Sequence, residues 1–206
     1  RGYETTLLAS TEFNLTVPAD VKAGEWVAVH GTGGIGLSVL LLAKMLGAQD
    51  VVVDIVEEKL EHARQHGADA TVNAAKVDVA TAIRDITGGG AQVSIEALGI
   101  EATTNASVEC LAILSRHVQV GMPSGSGQMQ VNMRAIYSKQ LAFFGTRGMP
   151  SWKYPNLLGM IERGDVDIRP MVAREISLSD ASNELRAMNG PTSPGTAVIT
   201  DLHSEV

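Results

Sequence analysis

Cysteine is nearly absent. Cys110 stands alone among 206 residues, which excludes an internal disulfide framework and fits a reducing compartment such as the cytoplasm. Long apolar runs are lacking too: the longest, Val39 to Leu42 with its neighbours, is broken by Lys44 and is far too short to span a bilayer. No membrane partner is expected. There is no run of like charge either, since 16 basic residues stand against 23 acidic ones for a net charge of −7. Without a basic footprint, nucleic acid is not an expected partner. The chain opens Arg1-Gly2-Tyr3, with neither an initiator Met nor a charged-then-apolar leader, and so reads as a piece of something longer. What is present, 45% hydrophobic residues over this length, can fill one large domain, or one domain and a fragment of another.

Trp26 to His30 is a short β-rich run, and from Gly36 the spacing switches to helical until Leu46, stopped by Gly47. Val51 to Ile55 is a continuous apolar strand of the kind covered on both faces, followed by a helix from Glu57 to His66 that Gly67 stops. The same rhythm predicts a strand over 70–73, a helix over 77–86 and a strand over 93–97. A helix over 103–114 and a strand over 118–121 then complete the run. Parallel strands need a crossover between them, so this alternation predicts a doubly wound parallel α/β sheet. Leu141 to Gly145 is a further strand, and Pro155 to Arg163 a helix. Beyond Pro170 the rhythm fails, with a polar helix over 179–188, a Gly190-Pro191 loop and a last strand over 197–200. That tail is expected to belong to a second structural unit.

Gly31-Thr32-Gly33-Gly34-Ile35-Gly36 satisfies G-x-G-x-x-G directly after a strand and at the opening of a helix. The first glycine permits a tight turn, the second lets backbone amides approach a pyrophosphate, and the third lets helix and strand pack closely. The helix N-terminus adds free N–H groups and a positive dipole end. Asp54 ends the next strand, where its carboxylate can accept from both ribose hydroxyls of an adenosine and repel a 2′-phosphate. The expected cofactor is therefore NAD rather than NADP.

Other candidate groups carry less. His62 and His66 have a metal-ligand spacing but no third ligand nearby, and read as a solvated helix face. Cys110 sits at helical spacing with Val108, Leu111 and Leu114 and reads as core filling. His30 reads as strand-end packing; His117 and His203 have no evident partners. No catalytic residue is assigned.

Taken together, "VKAGEWVAVHGTGGIGLSVLLLAKMLGA", "VVVDIVEEKLEHARQHGAD", "VQVGMP", "FFGTRGMP" and "ISLSDA" resemble the zinc-containing medium-chain alcohol dehydrogenases over about Val17 to Asp201. The resemblance implies a Rossmann dinucleotide domain over 17–146, a catalytic-domain remnant over 1–16 and a return to that domain over 147–206. It implies pyrophosphate contacts at Gly33, Gly34 and Ile35 and ribose contacts at Asp54 and Lys59. Ala97, Leu98, Val120, Met122 and the backbone of Ala142 and Phe144 would line the nicotinamide side, and Thr11 fits the family's cofactor register. The Leu141–Phe144 strand would pair with its copy in a homo-oligomer. The activity implied is hydride transfer between an alcohol or aldehyde and NAD, with zinc as Lewis acid in the full-length enzyme. The zinc-bearing portion is missing here, and Thr6 or Leu7 stands where a ligand cysteine is expected. This chain is thus expected to bind cofactor without turnover. The alternatives are a zinc-free quinone or enoyl reductase of the same superfamily and a non-catalytic nucleotide-binding module.

Overall fold

The computed structural model describes residues 19–123, 127–148, 151–187 and 195–202. The expectations for Thr6, Leu7, Thr11, the Gly190-Pro191 loop and His203 lie outside these residues. Six parallel strands form one sheet in the order β3-β2-β1-β4-β5-β6. They are β1 (Trp26–His30), β2 (Gln49–Asp54), β3 (Ala70–Asn73), β4 (Ala91–Glu96), β5 (Leu111–Gln119) and β6 (Ala142–Gly145). The crossovers are α1 (Gly34–Met45), α2 (Glu57–Gln65), α3 (Val79–Thr87), α4 (Glu101–Glu109) and α5 (Met133–Lys139). The strand order reverses at β1, so β1 and β4 are neighbours that the chain leaves in opposite directions. This is the crevice in which doubly wound sheets bind ligands.

Alternation along each strand divides the core in two. Val27 and Val29 of β1, Val52 of β2, Val93 and Ile95 of β4 and Val118 of β5 pack with Leu37, Leu40 and Leu42 of α1 and Leu60 of α2. On the other face, Ala28, Val51, Val53 and Val72 pack with Ala80 and Ile83 of α3 and with Cys110 and Leu111. The continuous apolar run in β2 is explained by this arrangement, since successive residues enter opposite cores. Helix α2 closes with its charges ordered: Glu57 accepts from Arg64 at 2.8 Å and from Lys76 and Asn73 at 2.9 Å.

The chain then continues as α6 (Tyr154–Arg163), β7 (Val172–Ser177), α7 (Ala181–Ala187) and β8 (Thr196–Asp201). β7 and β8 form a separate two-stranded parallel sheet, in keeping with the change of rhythm after Pro170. Leu157, Val166 and Met171 nevertheless enter the first core, and Met171 Sδ lies 3.7 Å from Ser38 Oγ on α1.

The structure corrects one expectation and adds two elements that the sequence patterns do not predict. The helix expected over 103–114 ends at Glu109, and Leu111 begins a strand that runs to Gln119. The three-residue spacing of Val108, Leu111 and Leu114 is not one helical face: Leu111 is buried in the sheet while Leu114 is exposed, with φ +59°. The register explains this, because Ala91 pairs with Leu111 but Val93 pairs with Arg116, leaving an irregular bulge in β5. Helix α5 falls in a stretch without a predicted element, although Asn132 caps it by accepting from Ala135 N at 3.1 Å. Strand β7 was likewise unforeseen, its first four residues being exposed rather than alternating.

Candidate functional site

The glycine loop is built as its spacing requires. Gly31 has φ +98° and donates its amide to Val53 O at 2.8 Å, which ties the turn to β2. A Cβ on Gly36 would lie 1.8 Å from Gly31 O, so the third glycine is what lets α1 leave so close to β1. A Cβ on Gly33 would meet nothing within 4 Å. That open space lies at the N-cap of α1, where no side chain caps the helix and no acidic residue occupies the first turn. An anion there would meet the dipole's positive end without a competing carboxylate.

Gly31, Gly33, Gly34, Ile35, Gly36, Ala97 and Leu98 line one open cleft of about 180 Å³ between β1 and β4. Asp54 stands at the adjoining end of β2 with both oxygens engaged. Oδ1 accepts from Ile55 N at 2.8 Å and Val56 N at 3.0 Å, while Oδ2 accepts from Thr32 N at 3.0 Å and from the Thr32 hydroxyl. Burial disfavours the charge on Asp54, but these bonds and the nearby Lys59 ammonium outweigh it and hold the pKa below the usual carboxylate value. The Asp54 carboxylate is thereby fixed at the end of β2 against Thr32 of the glycine loop.

The remaining expected site residues are brought near unequally. Val120 donates its amide to Glu96 O at 2.9 Å, immediately beyond the carboxyl end of β5, and the Met122 side chain is exposed just after it. Phe144 pairs with Val118 one position before the end of β6. Ala142 is not brought to that edge; it pairs with Arg116, toward the amino end of its strand.

Two groups missed as site residues adjoin the cleft-lining Leu98, Glu96 by accepting from its amide and Gln119 by bonding to Glu96. Glu96 is fully buried at the end of β4, and Gln119 is buried beside it on β5. The only sequence signal was a Glu between Ile95 and Ala97 in an otherwise apolar strand. His117 is also fully buried, with Nδ1 3.0 Å from Ser94 Oγ and 3.1 Å from Ser107 Oγ. Burial pulls it down to about 4, against the opposing Gln119 hydrogen bond and Glu96 charge. His30 is pulled down to about 3 by burial, with His117 adding to the effect. Burial pushes the Cys110 thiol up to about 12, and Sγ donates to Ser107 O at 3.2 Å. It is core filling, unsuited to nucleophilic work. His62 and His66 stack 4.3 Å apart, and His66 Nδ1 lies 2.8 Å from His62 O. Among the described residues, no group of three or more His, Cys, Asp or Glu side chains could hold a metal ion. Among those residues, too, no helix is long and apolar enough to cross a membrane.

Comparison with known proteins accords with this geometry. D-xylulose reductase of Saccharomyces cerevisiae is 34% identical over 169 residues, 79% of this chain and 47% of that protein. The solved structure of 2R,3R-butanediol dehydrogenase from Bacillus subtilis superposes with a TM-score of 0.85 at 25% identity, over 95% of this chain and 56% of that one. Benzyl alcohol dehydrogenase from Acinetobacter calcoaceticus gives 0.86 at 25% identity, over 97% and 56%. The chain spans about half the length of the curated relatives it matches. The family model described as zinc-binding dehydrogenase matches residues 34–163, which take in the glycine-loop helix, Asp54 and the cleft floor. The chain belongs to the zinc-binding dehydrogenase family.

Proposed function

We propose that this chain is the NAD(H)-binding part of an alcohol dehydrogenase, and that by itself it binds the dinucleotide without turning over alcohol. The observation that carries the reading is the uncapped α1 N-terminus and open Gly33 beside the fixed Asp54 carboxylate. Gly33, Gly34 and Ile35 would hold the pyrophosphate on backbone amides, and Asp54 with Lys59 the adenosine ribose. Ala97, Leu98, Val120, Met122 and the Phe144 backbone would border the nicotinamide. When bound, the nicotinamide supplies hydride acceptance and donation; this chain's residues orient it and hold water away from one face. The described residues do not form a zinc site, so no step is assigned to the metal here.

The dehydrogenase and reductase names among the relatives support oxidation and reduction at a carbon–oxygen bond, with an alcohol or aldehyde as substrate. Asp54 favours NADH over NADPH and so weighs against a zinc-free quinone reductase. Strand β6 lies at the sheet edge, and pairing with its copy would close that edge in a homodimer. A cytoplasmic setting goes with the lone buried thiol.

The test is fluorescence titration of the purified 206-residue chain with NADH and NADPH, followed by alcohol-dependent absorbance at 340 nm before and after zinc addition. NADH binding tighter than NADPH, without turnover, is the expected result. Turnover by the chain alone would overturn the cofactor-binding-part reading, and tighter NADPH would favour the reductase.

A further inference from the structure

Glu96 closes β4 with four donors converging on its carboxylate. Oε1 accepts from Leu98 N at 3.0 Å, Gly99 N at 3.1 Å and Thr103 Oγ1 at 2.6 Å; Oε2 accepts from Gly99 N at 2.8 Å and from the Gln119 side-chain amide. Its backbone carbonyl accepts from Val120 N and Gly121 N, each at 2.9 Å. One residue therefore grips two loops, the one after β4 and the one after β5. The loops are pressed together tightly enough that a Cβ on Gly99 would lie 2.0 Å from Met122 O, and one on Gly121 would lie 2.6 Å from Glu96 Oε2.

The grip extends inward in one sense of donation. Gln119 Nε2 also donates to Gly121 O at 2.9 Å, and its Oε1 accepts from Thr104 Oγ1 at 3.1 Å and lies 3.2 Å from His117 Nε2. Burial keeps the His117 imidazole neutral, so Nε2 carries its proton toward Gln119 and Nδ1 accepts from Ser94 or Ser107. The Gln119 amide then has a fixed orientation, which ties His117 and Thr104 to the Glu96 carboxylate.

We infer that Glu96 is a positioning residue that sets the Leu98–Gly99 and Val120–Met122 loops for the nicotinamide half of the dinucleotide, and that it plays no part in holding the adenosine half. The inference rests on the cofactor reading above. The halves are separable because Asp54 and the amides of Gly33 to Ile35 belong to β2 and the start of α1, whereas the Glu96 carboxylate bonds to Leu98, Gly99, Thr103 and Gln119 and to none of those groups. In Glu96→Gln either orientation of the new amide points its NH2 at a donor: Leu98 and Gly99 N–H on one side, the Gln119 NH2 on the other.

Calorimetric titration of wild type and Glu96→Gln with NADH and with ADP-ribose tests this, alongside amide hydrogen exchange in the free protein. The dissociation constant for NADH is expected to rise about tenfold and that for ADP-ribose to stay within about twofold, as loss of hydrogen bonds to a charged group at one end of the cleft implies. The amides of Leu98 and Gly99 are expected to exchange faster. Equal weakening of both ligands, or an unchanged ratio, overturns the inference. Wild-type protein that binds neither ligand overturns the cofactor reading instead, a failure seen without any variant. Should Glu96→Gln not fold, Thr103→Val removes one donor at the helix surface and is expected to shift the ratio in the same direction by less. An unchanged ratio in that variant also overturns the inference.

Discussion

Gly33 and Gly36 look alike in sequence and differ in what the structure asks of them. At Gly36 a methyl group would sit 1.8 Å from Gly31 O and 2.9 Å from Gly31 C. The obstacle is backbone, so relief requires the turn to withdraw by more than about 1 Å. Gly31 cannot withdraw freely: its φ of +98° and its 2.8 Å bond to Val53 O hold it on β2, and Leu98 packs over it. Overpacking of this type costs about 1–3 kcal/mol, a large share of the roughly 5–15 kcal/mol that keeps a domain folded. At Gly33 the same methyl group meets nothing within 4 Å, and φ is −72°, a value any residue adopts. Alanine caps a helix less well than glycine but has less unfolded-state entropy to lose, and the two effects cancel to within about 1 kcal/mol.

The two variants should therefore part company. In urea unfolding, Gly36→Ala is expected to lose about 1–3 kcal/mol, while Gly33→Ala unfolds close to wild type. In NADH titration, Gly33→Ala is expected to weaken binding at least about tenfold, equivalent to about 1.4 kcal/mol, because its methyl group fills the space through which a pyrophosphate would reach the amides. Gly33→Ala binding NADH as wild type does would refute the placement of the pyrophosphate. Undiminished stability in Gly36→Ala would refute the packing argument.

Three further outcomes are expected. Asp54→Ser should weaken NADH by about tenfold, the loss of a charged hydrogen-bonding group, and narrow the NADH-over-NADPH preference; an unchanged preference would remove Asp54 from the ribose site. His30 and His117 fold neutral, with pKa values near 3 and 4 against 6.5 unfolded, so their stabilisation is complete above pH 6.5 and is lost as pH falls. By pH 5 each should cost about 2 kcal/mol, with Asp50, raised to about 6 by burial, returning about 1 kcal/mol; a stability that is flat over this range, or a slope unaltered in His117→Gln, would contradict it. Thr146 N donates to Gln119 O at 3.1 Å, so alternation turns the Gly145 amide away from β5, and Gly145→Pro should abolish a β6-mediated dimer in light scattering without affecting NADH binding. A dimer of undiminished mass in that variant would exclude pairing along this edge.

How much of the site could be read from sequence depended on how local its physics is. The glycine loop was legible because its constraints act within six residues: a turn, an approach and a close packing, each demanding glycine at a fixed offset. Asp54 was legible because β2 has a clear end. Strand β5 was not, since its start is decided by pairing with Ala91 across a bulge rather than by its own pattern, and Leu114 was drawn onto an imagined helix face. The Glu96 network was hidden for a related reason. Ser94 and Glu96 are two apart, as are His117 and Gln119, and a spacing of two reads only as one strand face. What makes these four residues a unit is the parallel register that sets Ser94 beside His117 and Glu96 beside Gln119, with α4 lowering Thr104 and Ser107 onto them. Recognising the loop required a motif; recognising what holds the opposite wall of the cleft required knowing which strands are neighbours. What sequence leaves unread is thus the support behind the wall proposed to border the nicotinamide, and the NADH-to-ADP-ribose ratio addresses that support directly.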